Sequence, residues 1–171
     1  MSLKVSDEEY NALCQLVGNI AIQASFLEQA LDVTISFIFH ELGGRDHSDG
    51  QALPRGLKRK IRYLRLCFLK VSSLHRHSEH ALSLLHGISN ASRDRNNIIH
   101  GVFQKFDSAR RLCTFAKLDA VGVFHHESLN SYTFDQLLKL SDTLLKYGRS
   151  VIELNQRIFE LDPNISQTNP E

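Results

Sequence analysis

The sequence predicts a mainly α-helical fold: a four-helix up-and-down-like bundle with a small β-hairpin between the third and last long helices. In four long segments, apolar residues recur every three or four positions, which is typical of amphipathic helices. Residues 6–9 and 133–136 match the capping box that opens many helices. After Gly101, short runs rich in β-branched and aromatic residues are typical of strands instead. We expect one helical domain over residues 1–161 and a flexible C-terminal tail over 162–171.

The four predicted helices have recognisable ends. The first begins at the capping box and ends at Gly43, because glycine accepts the left-handed turn that follows a helix. The second covers about 54–71, and the third begins between 73 and 78 and ends near 99. The last begins at the second capping box and ends near 161. In the third helix, an arginine lies on or beside the face that should be buried.

The predicted hairpin lies between the third and last helices. Its strands are Val102–Phe106 and Leu112–Ala116, and the turn is Asp107–Arg110. The run Val121–Phe124 is a candidate third strand.

Composition and charge limit the classes of function. The chain has 171 residues, 42% of them hydrophobic, and a net charge of +1, so any affinity for nucleic acid must come from a local patch. The three cysteines, Cys14, Cys67 and Cys113, are too far apart to form a Cys-x-x-Cys motif. This spacing favours reduced thiols packed as small apolar side chains. The sequence shows no signal core and no membrane-spanning run. We therefore expect a soluble, cytoplasmic protein that does not contact membranes.

The segment from Arg95 to Gly101, at the end of the third helix, is the most informative. Asn96 and His100 are four residues apart and share one helix face. Arg95 lies about 100° around the helix from Asn96, close enough for both side chains to reach one ligand. Arginine is costly to bury without a partner, and histidine titrates near neutral pH.

An arginine followed by a polar residue, three further residues and a histidine resembles the signature of the HEPN superfamily of helical domains. The following Gly101-Val102-Phe103 is similar to a bacterial subgroup in which His-Gly precedes a short hairpin. Many members of that superfamily are metal-independent endoribonucleases that dimerise with two Arg–His pairs facing one cleft. Others act in toxin–antitoxin or defence systems, or serve as binding modules. The resemblance therefore implies a homodimer, an RNA substrate, and a cognate antitoxin or another protein as partner.

The chemistry of Arg95, Asn96 and His100 is consistent with that expectation. Cleavage of RNA without metal needs a base for the 2′-hydroxyl, an acid for the leaving oxygen and a cation for the phosphorane. Histidine suits the first two roles, and the arginine fork suits the third. One histidine per chain fills both roles only if it changes role or a second chain contributes another. The alternative is a non-catalytic dimerisation or interaction module, in which Arg95 pairs with Glu28 or another acid and His100 caps the helix.

A second candidate is the basic outer face predicted for the second helix. Its possible RNA-backbone ligands are Arg55, Lys58, Arg59, Arg62 and Arg65. The alternative is a solvated face that is balanced by acidic residues elsewhere.

No metal or cofactor is expected from the spacing of ligand residues. Only two histidines of the third helix, His77 and His80, have useful helical spacing, and no carboxylate or cysteine completes a ligand set. The chain also lacks a Gly-x-Ser-x-Gly motif, a phosphate-binding glycine loop and a His-Glu-x-x-His motif.

Overall fold

The structure is a computed structural model that describes residues 5–121 and 124–160. Within those ranges it is mainly helical, with four α-helices and one three-stranded antiparallel sheet. The helices are α1 (Asp7–Glu41), α2 (Leu57–Lys70), α3 (Ser78–Ile99) and α4 (Phe134–Phe159), and the strands are β1 (Val102–Asp107), β2 (Leu112–Val121) and β3 (Phe124–Thr133). Short 3₁₀ turns cover Gly44–His47, Asp49–Gln51 and Ser72–His77. The prediction of a mainly helical chain is confirmed.

Both predicted capping boxes are present. The Ser6 Oγ accepts a hydrogen bond from the Glu9 amide, and a Glu9 carboxylate oxygen accepts one from the Ser6 amide, each at 3.2 Å. At the start of α4, the Gln136 amide donates to the Thr133 Oγ1 at 3.2 Å and the Thr133 amide donates to the Gln136 Oε1 at 2.8 Å. These reciprocal bonds satisfy backbone donors that the first helical turn leaves unpaired. Local sequence therefore determines where α1 and α4 begin.

The sheet has the order β1-β2-β3, so the prediction of a two-stranded hairpin is wrong in its strand count. β2 is the central strand, and it pairs with β3 along its whole length, from Leu112 opposite Thr133 to Val121 opposite Phe124. Most of β3 is exposed and polar, so it carries no apolar run by which the sequence would reveal a strand. Residues 122 and 123 of the candidate strand Val121–Phe124, and the predicted tail at 162–171, lie outside the described residues.

The chain divides into two compact units, each with its own core. One unit comprises Met1–Ala24 and Asn90–Leu144, and the other comprises Ser25–Ser89 and Leu145–Glu171. In the first, the sheet and the flanking helical segments bury apolar side chains, among them Leu13, Ile20, Ile98, Cys113, Phe115, Phe134 and Leu137. In the second, the core includes Leu27, Leu31, Ile38, Leu64, Phe68, Leu74, Ile88, Val151 and Ile158.

Three buried polar side chains of the second unit, those of Thr34, Lys60 and Asn155, are paired. Lys60 is only 9% exposed, and its ammonium lies 2.7 Å from the Asp32 carboxylate and 3.7 Å from that of Glu28. Lys60 is therefore not part of the exposed basic face of α2. The Thr34 hydroxyl shares its one proton between the Asn155 Oδ1 and the Ala30 carbonyl, and the Asn155 Nδ2 donates to the same carbonyl. Such pairing offsets the cost of removing these groups from water.

Candidate functional site at the end of helix α3

Arg95, Asn96 and His100 lie in the last two turns of α3 and the residue after it; together they are called the α3-end site below. Arg95 and Asn96 are half-buried, and His100 is exposed. The Arg95 Nη1 donates a hydrogen bond of 2.9 Å to the Asn96 Oδ1. The backbone amide of His100 donates to the Asn96 carbonyl at 3.1 Å, which closes the last turn of the helix. The α3-end site thus combines an oriented guanidinium with an imidazole that solvent can reach.

Gly101 makes the sharp exit from α3 possible. A Cβ at this position would overlap the Asn97 carbonyl oxygen and would lie 3.0 Å from the Phe115 Cβ. Only glycine allows the chain to pass this close to the last helical turn. Two residues after His100, the chain is already in β1, so the sheet begins directly beside the imidazole.

Asp94, Asn97, Asn130 and Tyr132 form a second group at the same helix end, called the α3–β3 polar cluster below. The Asn97 Nδ2 donates to the Asn130 Oδ1 and to the Tyr132 hydroxyl, both at 3.2 Å. The Tyr132 hydroxyl in turn donates to the Asp94 Oδ1 at 3.1 Å. These bonds fix α3 against β3 on the strand face that carries the even-numbered residues.

The pKa of Tyr132 is raised. Burial is the main cause, and the Asp94 carboxylate adds to it, while the hydrogen bond from Asn97 acts in the opposite direction. Tyr132 therefore stays a neutral phenol at neutral pH and donates its proton to Asp94. Nothing in the sequence singles out this cluster, because between residues 125 and 133 only Leu129 is apolar and the polar residues show no period of two.

The basic residues predicted for the second helix divide into two sets. Arg55, Lys58, Arg59 and Arg62 are exposed, and Arg65 is half-buried. Arg55, Arg59 and Arg62 line a cavity together with residues of the segment 47–54, whereas Lys58 and Arg65 do not.

The described residues offer no alternative metal site. They contain no group of three or more histidine, cysteine, aspartate or glutamate side chains that could hold a metal ion. All three cysteines are free: Cys67 and Cys113 are buried, as expected, but Cys14 is exposed, which corrects the prediction for that residue. None of the helices in the described ranges combines the length and apolar character that a bilayer crossing requires.

No protein-family model matches the chain, and comparison with curated proteins and with solved structures finds no match. The geometry and chemistry of the chain's own residues therefore carry the functional argument.

Proposed function

We propose that this protein is a metal-independent endoribonuclease of the HEPN type, with Arg95, Asn96 and His100 as its active-site residues. One observation carries the proposal: at one helix end, the side-chain Oδ1 of Asn96 orients the guanidinium of Arg95 while the imidazole of His100 stays exposed. The resemblance of the Arg-Asn-x-x-x-His segment to that superfamily supports the same function. The proposal includes the bundle arrangement of the four helices and a cytoplasmic location.

The proposed reaction is an internal transesterification of RNA. The 2′-oxygen attacks the adjacent phosphorus and gives its proton to an imidazole. The bond between phosphorus and the 5′-oxygen breaks, and that oxygen takes a proton from a second imidazole. The products are a 2′,3′-cyclic phosphate and a 5′-hydroxyl end, and no oxidant or metal takes part. Arg95 stabilises the additional negative charge on the phosphorane, because a guanidinium binds two phosphate oxygens at once.

A second copy of the chain supplies the second imidazole in this proposal. A two-fold axis beside the α3-end site would bring two copies of His100 to one scissile phosphate. One would act as base and the other as acid, as transesterification requires. The exposed basic residues Arg55, Lys58, Arg59 and Arg62, with half-buried Arg65, would contribute binding to the RNA backbone that weakens as salt rises.

The first experiment measures cleavage of fluorescently labelled single-stranded and structured RNAs in the presence of EDTA. We expect cleavage by the wild-type protein, with loss of about 100-fold or more in His100→Ala and in Arg95→Ala. His125→Ala is the matched control, since His125 is also an exposed histidine but lies on β3. Intact RNA with wild-type protein, or an equal loss in His125→Ala, would contradict the proposal.

A mixing experiment tests the need for two histidines. Wild-type and His100→Ala chains are unfolded, combined in equal amounts and refolded together. If a dimer needs both imidazoles, about a quarter of the wild-type activity remains, because only dimers of two wild-type chains are active. If each chain acts alone, about half remains. Sedimentation of the wild-type protein as a monomer that still cleaves RNA would exclude the two-histidine arrangement.

A non-catalytic interaction module is the second candidate function. Its support is an apolar patch on the sheet, where Val102, Leu118 and Leu129 are 65%, 70% and 66% exposed. Val102 and Leu129 flank Ala116 in register, so the patch crosses all three strands. Exposed apolar groups of this kind mark protein-binding surfaces, for example for a second copy or an antitoxin. Specific capture of one protein by the wild type, lost in Leu129→Lys but kept in His100→Ala, would favour this function.

A further inference from the structure

A cavity of about 280 Å³ lies beside the start of α2, outside the α3-end site. One wall is formed by α2 and the residues that lead into it, and the other by the segment 47–54. The size is close to the lower end of the range of small-ligand pockets, which suits one compact ligand rather than a stretch of polymer.

The α2 wall of this cavity carries excess positive charge. The side chains of Arg55, Arg59 and Arg62 all line it, and none of them makes a hydrogen bond or an ion pair with another residue of the described ranges. Asp49 is the single acid among the lining residues, so three arginines and one aspartate leave a charge of +2 without counting His47. Lys60 on the same helix differs from these arginines, because its charge is already matched by Asp32.

The rest of the cavity is largely apolar. Leu53 and Pro54 contribute from the loop wall, and Leu66 and the Tyr63 ring contribute from α2. Tyr63 is only 5% exposed, and burial raises the pKa of its hydroxyl, with the neighbouring Cys67 adding to the shift. The phenol is therefore uncharged and adds no repulsion toward an anion. A ligand that fills this space combines a compact anionic head with an apolar or planar body.

We propose that this cavity binds a terminal phosphate monoester, presented either by a small phosphorylated metabolite or by the phosphorylated 5′ end of an RNA. A monoester carries about −1.5 to −2 charges at pH 7, which matches the excess charge of the arginines. An internal phosphodiester carries one charge and has no free end to enter a cavity of this size. The phosphate would contact the α2 wall, the body of the ligand would lie against Leu53 and Leu66, and the Asp49 carboxylate would accept hydrogen bonds from ligand hydroxyl or amino groups.

Binding of four probes to the full chain tests the proposal: adenosine 5′-monophosphate, inorganic phosphate, and one ten-nucleotide RNA with either a 5′-phosphate or a 5′-hydroxyl. We expect the nucleotide to bind at least about tenfold tighter than inorganic phosphate, or the 5′-phosphate RNA at least about tenfold tighter than its 5′-hydroxyl form. The first result indicates a metabolite as the source, the second an RNA end, and both together indicate that the shared phosphate suffices. If neither preference appears, the proposal is wrong.

Variants locate the binding. Arg59→Gln with Arg62→Gln should weaken binding of the preferred probe by about tenfold or more, since each arginine loses charge-assisted hydrogen bonds. Lys70→Gln is the matched control, because Lys70 is an exposed cation on the same helix that does not line the cavity, and its effect should stay within about twofold. Equal losses in the double variant and in Lys70→Gln would indicate a diffuse basic surface and overturn the proposal. Arg59→Lys keeps the charge and serves as a second variant if the double one does not fold.

Two further measurements, the pH dependence of binding and the binding of probes by His100→Ala, distinguish this proposal from the ribonuclease proposal. Binding should weaken as pH falls below about 6, where a monoester loses its second charge, whereas a diester would show no such change. His100→Ala should keep the wild-type preference for the nucleotide over inorganic phosphate, or for the 5′-phosphate RNA over its 5′-hydroxyl form, because this preference reports contacts of the phosphate end and not of the α3-end site. Loss of that preference in His100→Ala would contradict two independent sites.

Discussion

Arg95 and the arginines of the α2 cavity illustrate two uses of one side chain. Arg95 is half-buried, and its guanidinium is oriented by the Asn96 amide. Arg55, Arg59 and Arg62 are exposed and make no such bond to other residues of the described ranges. A guanidinium that a neighbour orients is held ready for one position of a reacting phosphate, whereas exposed guanidinium groups without such a bond can bind an anion that arrives from solvent. Protein contacts, more than residue type, thus distinguish the proposed catalytic site from the proposed binding site.

The largest expected effect comes from two variants, each of which should impair one of the two functions and leave the other unchanged. We expect Arg95→Ala to reduce RNA cleavage by roughly 10²- to 10⁴-fold while binding of phosphate monoesters stays the same. The Arg59→Gln and Arg62→Gln pair should show the reverse, with weakened monoester binding and a kcat for cleavage of 5′-hydroxyl RNA within about threefold of wild type. These arginines are proposed to contribute to RNA binding, so their loss should raise KM and leave kcat unchanged. Steady-state cleavage and titration calorimetry measure the two effects. If either variant changes both, the two regions act as one site.

Glycine substitutions compare the rigidity of the two regions. Gly101→Ala should lower the free energy of unfolding by about 3 kcal/mol or more, because its Cβ would overlap backbone at the end of α3. Gly50→Ala, in the loop 47–54 beside the α2 cavity, should cost about 1 kcal/mol, since Gly50 has φ of +66° but open space around it. Urea unfolding of both variants provides the measurement. Equal costs would show that the exit from α3 adapts more easily than its packing indicates.

Alkaline pH should destabilise both units through one buried thiol each. Burial raises the pKa of Cys113 to about 11 from an ordinary value of 9.0, and burial raises that of Cys67 as well. The unfolded chain therefore releases these protons first, and stability is lost as pH rises from 9 toward 11. The Cys113 contribution is about 2 to 3 kcal/mol.

Unfolding measured from pH 7 to 11 tests this pH dependence. Cys113→Val should flatten the curve, and the exposed Cys14→Ala is the control that should leave it unchanged. A curve with the same slope in Cys113→Val as in the wild type would show that the Cys113 thiol does not carry the effect.

The smallest effect is expected at Tyr132. Tyr132→Phe removes the hydroxyl that joins Asn97 to Asp94 and should reduce stability by about 1 kcal/mol, as for an ordinary hydrogen bond. Tyr10→Phe is the control, because Tyr10 is 52% exposed. Thermal unfolding resolves a difference of this size. No difference between the two variants would mean that solvent replaces the lost bond at no cost.

The sequence predicts well those helix ends that are determined by residues close together in the chain. The capping boxes at Ser6 and Thr133 and the glycine stop at Gly43 gave the ends of α1 and the start of α4 to within one or two residues. The third strand was misplaced: the candidate Val121–Phe124 begins at the last residue of β2 and ends at the first residue of β3. The polar positions of β3 are explained by contacts with α3, which is remote in sequence.

The sequence identifies the candidate residues, but only in part which of them lie together in the structure. Sequence spacing placed Arg95, Asn96 and His100 at one helix end, since a helix fixes such relations locally. It could not separate Arg59 and Arg62, which line a cavity, from buried Lys60, because this depends on the loop 47–54 and on Asp32 in another helix. A step of one position along a helix turns a side chain by about 100°, which is enough to change its surroundings completely.

Because the strands differ in length, one part of the sheet has three strands and the rest is an arm of two strands. β1 pairs only with residues 112–116 of β2, so residues 117–121 pair with 124–128 of β3 as a two-stranded ribbon. Isolated ribbons of two strands are marginally stable in water, and Leu118 and Phe124 on this arm are 70% and 75% exposed. Backbone amides of the arm should therefore exchange with deuterium through local opening, well before those around Phe115. A partner that binds to the arm would stabilise its two strands and slow deuterium exchange at these amides alone. Exchange at the arm would therefore report binding of a partner to this part of the sheet.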